Sequence, residues 1–86
     1  MNINELIAIV KNKIEAEIII QDLKIEDKSF LHQNHKGHQE GKYHLKLTVK
    51  SAELKKCSRI VSTKRVYSAL DAELKEDIHS IQILLT

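Results

Sequence analysis

The stretch Ser62–Leu84 reads STKRVYSALDAELKEDIHSIQIL, and two periodicities meet inside it. Val66, Tyr67, Leu70 and Leu74 recur at helical spacing, which predicts a helix that buries one stripe. Lys75, Glu76 and Asp77 then interrupt the apolar pattern. Ile78 to Leu84 is an apolar, β-branched run of strand length. His79 stands at the start of that strand, where a side chain can still reach the edge of the molecule. Strand alternation places it on the face of Ile81 and Ile83. A histidine there is either a hydrogen-bonded packing residue or a ligand, and the residues leave both readings open.

Working outward, the helix is expected to begin near Ser58 and to run to about Lys75. Before it, Ser51-Ala52-Glu53-Leu54 suits a short helical turn with Leu54 directed at the core. In Lys42–Lys50, Tyr43, Leu45, Leu47 and Val49 alternate with His44, Lys46, Thr48 and Lys50. That is a half-buried strand, apolar set inward and basic set toward solvent. Its mate is expected at Glu17–Leu23, where Ile18-Ile19-Ile20 favours extended backbone. At the N-terminus, Ile3, Leu6, Ile7, Val10 and Ile14 mark one face of a helix ending near Glu15. Asn2 and Glu5 resemble a capping box. The predicted order is α-β-β-α-α-β. It implies a two-layer α+β domain, a three-stranded sheet with helices on one face, in which residues 1–86 form a single domain with a small core.

Composition narrows the function classes. Charged residues make up 30% and apolar residues 42%, proline is absent, and glycine occurs only at Gly37 and Gly41, so neither a disordered chain nor a long flexible linker is expected. No run approaches the roughly 20 apolar residues that span a bilayer. The acidic, periodic N-terminus is unlike a secretion signal. A single cysteine, Cys57, has no internal disulfide partner and points to a reducing, cytoplasmic setting. No Gly-rich phosphate loop, GxSxG or HExxH is present, and the chain is not expected to be an enzyme. Cys57 reads as a half-buried thiol rather than a nucleophile.

The net charge of +2 conceals an asymmetry. Residues 42–65 hold eight Lys/Arg and one acid, Glu53, whereas the segments before and after carry net −2 and −3. The basic segment is either a solvated lysine-rich face or a surface for nucleic acid or an acidic partner. Between the first two strands, KIEDKSFLHQNHKGHQEG places His32, His35 and His38 at three-residue intervals. Imidazoles so spaced either hold a transition metal or sit in a solvated polar loop. Without a second cysteine or a CxxC, a closed structural zinc site is not expected.

Over residues 3–84 these pieces, in this order, resemble the BolA family. Asp27-Lys28-Ser29-Phe30-Leu31-His32, followed by His35 and Gly37, resembles its acid-x-Ser-aromatic-x-His loop. Tyr43-His44-Leu45-Lys46-Leu47 resembles its Ser/Thr-His-Phe-basic-hydrophobic strand, and Ser51–Leu54 its Ser-x-x-Phe. Ser58-Arg59-Ile60-Val61, Val66-Tyr67, Glu73-Leu74 and Ile78-His79 complete the match. Two departures stand out: Ser62, Thr63 and Lys64 occupy the usual Arg-His-Arg, and Lys56 stands where glycine is common. The loop carries His rather than Cys, as in the family's histidine-loop branch.

The resemblance implies a fold similar to a class II KH domain and a role in iron–sulfur cluster handling. The partner it implies is a monothiol glutaredoxin, with which the chain would share a 2Fe–2S cluster that also involves glutathione. No cofactor is expected in the isolated chain. The family's ligands map onto His79 and onto His32 or His35, whereas His38 has no counterpart in the loop pattern. The alternative is a KH-like transcriptional regulator that binds nucleic acid weakly through Lys56, Arg59, Lys64 and Arg65. Lys55-Lys56-Cys57-Ser58 lacks the glycines of a KH loop, and aromatics for base stacking are scarce, so the adaptor is the preferred expectation. A homodimer is left open beside it, and no membrane partner is expected.

Overall fold

The computed structural model describes residues 2–29 and 42–86. Within them the elements run α1 (Ile3–Glu17), β1 (Asp22–Asp27), β2 (Tyr43–Lys50), α2 (Ala52–Lys55), α3 (Arg59–Ala69), α4 (Asp71–Glu76) and β3 (Ile78–Leu85). The sheet order is β1-β2-β3, with β1 antiparallel and β3 parallel to the central β2. This is the α+β, three-stranded architecture expected from the sequence, with helices packed on one sheet face. Leu6, Val10 and Ile14 of α1, Leu54 of α2, Val66 and Leu70 meet Leu45, Leu47, Val49 and Ile78 of the sheet in one core.

Local signals account for the helix starts. The Asn2 side chain accepts from the Glu5 N–H at 2.9 Å, so the expected N-cap forms, although the Glu5 carboxylate accepts from the Asn2 side-chain amide rather than from its backbone N–H. Ser51 caps α2 and Ser58 caps α3, each accepting from the N–H three residues on. Leu54 is buried as expected, and the Ser62 hydroxyl locks α2 to α3 by donating to the Leu54 carbonyl.

Three sequence expectations are corrected. The first strand lies at Asp22–Asp27, not Glu17–Leu23. Helix α1 runs on to Glu17, and Ile18 caps it with an N–H bond to Ile14 O, burying its side chain from the helix end. The pairing of Leu23 with Val49 and Ile25 with Leu47 then sets the strand, and this tertiary demand outweighs the β-propensity of the isoleucine triplet. Second, the long helix is two: Leu70, at φ −108° and ψ 20°, leaves the helical well, and its N–H is shared between the Val66 and Tyr67 carbonyls. Neither glycine nor proline causes the break. Third, Tyr67 belongs to no buried stripe and is 41% exposed.

The break re-aims α4. Glu73 is only 7% exposed, and its carboxylate meets the Lys13 ammonium of α1 at 2.6 Å. The pair joins segments 60 residues apart in the chain. Lys13 is 42% exposed at its side chain and can return to water if its partner is lost. Glu73→Ala is therefore expected to cost about 1–2 kcal/mol, below the roughly 3–5 kcal/mol seen when a fully buried charge is orphaned. Urea unfolding with an unchanged m-value checks this. A loss above about 3 kcal/mol would show that the ion pair is desolvated on both sides.

Candidate functional site

The candidate site is built where β3 begins beside the start of β2. The register pairs Tyr43 with Ile78 and then His44 with Ser80, so one residue of β3, His79, is left out of the ladder as a bulge. The apolar spacing reflects it. Ile81, Ile83 and Leu85 pair with Leu45, Leu47 and Val49 on the core side, and Ile78 reaches that side three residues before Ile81. The expectation that His79 shares a face with Ile81 and Ile83 is thereby overturned. The bulge shifts the phase of the strand, and His79 is exposed.

His44 was expected among the solvent-facing residues of β2, yet it is only 5% exposed. Its ring stands edge-on to that of His79, centroids 4.8 Å apart and planes at 60°. Its Nδ1 lies 2.6 Å from Ser80 Oγ. The main chain of His44 is held as well: its N–H donates to Ser29 Oγ at 3.0 Å, and its carbonyl accepts from the Lys28 N–H at 2.7 Å. Ser29 in turn donates its own N–H to Asp27 Oδ1 at 2.9 Å, a local side-chain turn. The acid-x-Ser element thus ties the end of β1 to the start of β2. The bond from Tyr43 N–H to Asp77 O, 2.9 Å, ties β2 to the turn before β3.

His79 is therefore an exposed imidazole beside a buried, hydrogen-bonded ring. His32, His35 and His38 lie outside the described residues. Among the described residues no group of three or more His, Cys, Asp or Glu side chains could hold a metal ion. His44, Ser80 and Ser29 were missed as site residues. A readable signal existed: Ile78 and Ile81 are three apart where a regular strand would place core residues two apart.

The basic residues are dispersed around α2 and α3. Lys56, Arg59 and Lys64 are exposed. Arg65 is instead engaged: its Nη2 meets Glu53 Oε2 at 2.9 Å and reaches Glu17 O at 3.5 Å, and its Nη1 lies 3.9 Å from Cys57 Sγ. The Cys57 thiol and the Glu53 carboxylate hold its guanidinium pKa above the ordinary value. Lys64 and Arg65 line an open groove of about 350 Å³ between the end of α1 and α3, with Glu17, Ile18, Val61, Ser68 and Ala69. On the open sheet face the Lys24 ammonium, 3.0 Å from Glu26, lowers the Glu26 carboxyl pKa, with Lys28 and Lys46 adding to the effect. No helix among the described residues is long and apolar enough to cross a membrane.

Comparison with known proteins agrees with this architecture. A family model described as BolA-like protein matches residues 14–86. The chain is 31% identical over 77 residues to a Haemophilus influenzae protein named DNA-binding transcriptional regulator BolA, covering 90% of this chain and 72% of that one. Among solved structures, the BolA domain of SufE1 from Arabidopsis thaliana superposes with a TM-score of 0.77 at 24% identity, covering 100% of this chain and 93% of that one. BolA1 from Arabidopsis thaliana gives 0.76 at 24% identity, covering 92% and 87% respectively. The solution structure of BolA1 from Mus musculus gives 0.71 at 22% identity, covering 90% and 60%.

Proposed function

This chain belongs to the BolA family, and on that premise we propose that it is a non-catalytic adaptor in iron–sulfur cluster handling. It pairs with a monothiol glutaredoxin and shares a 2Fe–2S cluster through histidine. The observation that carries the reading is the placement of His79, an exposed imidazole on a bulge at the start of β3, backed by the buried ring of His44. A neutral imidazole nitrogen is a suitable donor for iron. His79 is one ligand of this chain, and His32 or His35, by their match to the family's loop, supplies another. Histidine in place of thiolate raises a cluster's reduction potential and makes its retention sensitive to protons.

The test is reconstitution of the chain with a monothiol glutaredoxin, glutathione, iron and sulfide. The mixed complex is expected to show visible absorption and circular dichroism distinct from those of the glutaredoxin's own cluster. Spectra identical to the glutaredoxin alone would overturn the reading.

A second reading is nucleic-acid binding, favoured by the name of the Haemophilus influenzae relative and by the exposure of Lys56, Arg59 and Lys64. Binding is then expected to be weak and to fall steeply with salt, because phosphate contacts release counterions. Replacing Lys64 with Ala should lower the slope of log K against log salt by about one. Arg65, already paired with Glu53, should contribute less to that slope. Tight, sequence-selective binding at physiological salt would place this reading first.

A further inference from the structure

We propose that His44 is a positioning residue for His79: its buried ring, tethered to Ser80, backs the His79 imidazole and sets the direction in which that imidazole points. The proposal rests on the cluster reading and adds a residue to it.

His79 needs such support. It has no cross-strand partner in the β2–β3 register, and its side chain is exposed. An exposed histidine ordinarily samples several rotamers. A ligating histidine is usually held through its second nitrogen by a carboxylate or carbonyl. His79 instead meets a ring, that of His44, whose centroid lies 4.8 Å away at 60°. Edge-to-face contact of this kind excludes the rotamers that would drive one ring into the other.

His44 can act as a fixed wall because it is itself fixed at three points. Its N–H is bound to Ser29, its carbonyl to Lys28, and its Nδ1 to Ser80. The last bond explains why a histidine suits the position better than another aromatic ring. Ser80 follows His79 directly, so His44 grips β3 by a hydrogen bond on one side of the bulge and by its ring at the bulge itself. A large rotation of the His44 ring would break the 2.6 Å contact with Ser80.

The experiment uses the full chain with His44→Ala and Ser80→Ala, each read in two states. In the free chain, NMR couplings and relaxation of the His79 side chain report its rotamers. In the complex with a monothiol glutaredoxin, pulsed EPR of the reduced cluster reports imidazole nitrogen on iron, and transfer to a chelator reports retention. The unmodified free chain is expected to hold His79 in one dominant rotamer. In His44→Ala the rotamers should average, and cluster release should quicken about tenfold, the size of effect that loss of a ligand's outer support commonly has. Ser80→Ala should move both readouts in the same direction by less. A purely structural role would lower the melting temperature and leave the His79 rotamers and nitrogen couplings unchanged, and that result overturns the proposal. Ser80 is exposed, so its variant decides the matter even if His44→Ala fails to fold. An unmodified complex with no histidine nitrogen on iron overturns the cluster reading and the proposal with it. Histidine coordination that persists undisturbed in folded variants overturns the positioning role alone.

Discussion

Leu70→Ala is expected to destabilise the domain by about 2–5 kcal/mol, the range for truncating a buried leucine. Leu70 is 0% exposed and packs in the central cluster. It also sits at the break between α3 and α4, where its N–H is shared between two carbonyls 3.2 Å away. Its neighbours cannot all collapse into the space left behind, because Val66 of α3 and Glu73 of α4 are held by their own helices, and Glu73 by Lys13. A domain of this size has a total stability of about 5–10 kcal/mol. The loss should lower the melting temperature by roughly 10 °C or more. A change under about half a kcal/mol would mean that the side chain does not bear on the core.

His79→Ala is expected to leave the fold nearly intact and to remove the histidine signature of the shared cluster. An exposed residue on a bulge contributes little to packing, so stability should change by no more than about half a kcal/mol, chiefly through the lost ring contact with His44. In the complex with a glutaredoxin, the visible spectrum should lose its distinct bands or revert to that of the glutaredoxin's own cluster. Changing His38, which has no counterpart in the family's loop pattern, should do little. Melting temperature and charge-transfer absorption measured on the same variant separate the two roles of His79. A destabilised protein with an unaltered cluster spectrum would refute the ligand assignment.

His79 stood out because it interrupts an apolar strand at its first residues. Its true orientation was not legible. The period-two rule assumes regular pairing, and the bulge opposite Tyr43 and His44 breaks that rule. His44 differs for the complementary reason: alternation correctly puts it on the open sheet face, but its ring is buried there, against His79 and bonded to Ser80 of the neighbouring strand. Arg65 looked like one of several free cations, and only the fold brings Glu53 and the Glu17 carbonyl to its guanidinium.

What the sequence by itself determined is what depends on near neighbours in the chain. The helical face of Leu6, Val10 and Ile14, the caps at Asn2, Ser51 and Ser58, the inward Leu54, and the alternation of Leu45, Leu47 and Val49 all follow from local periodicity and local hydrogen bonding. They suffice to order the elements and to name the fold class. The tertiary structure alone decided where β1 begins, where α3 ends, which way β3 turns its histidine, and that Lys13 meets Glu73. The β1 start, the turn of β3 and the Lys13–Glu73 pair are contacts between residues far apart in the chain, whereas the α3 end shows no glycine, proline or other breaker in the local sequence. The isoleucines at 18–20 are as suited to a strand as Leu23 and Ile25. Pairing with β2 is what selects between them, because a strand gains its stability from cross-strand neighbours rather than from its own backbone preference.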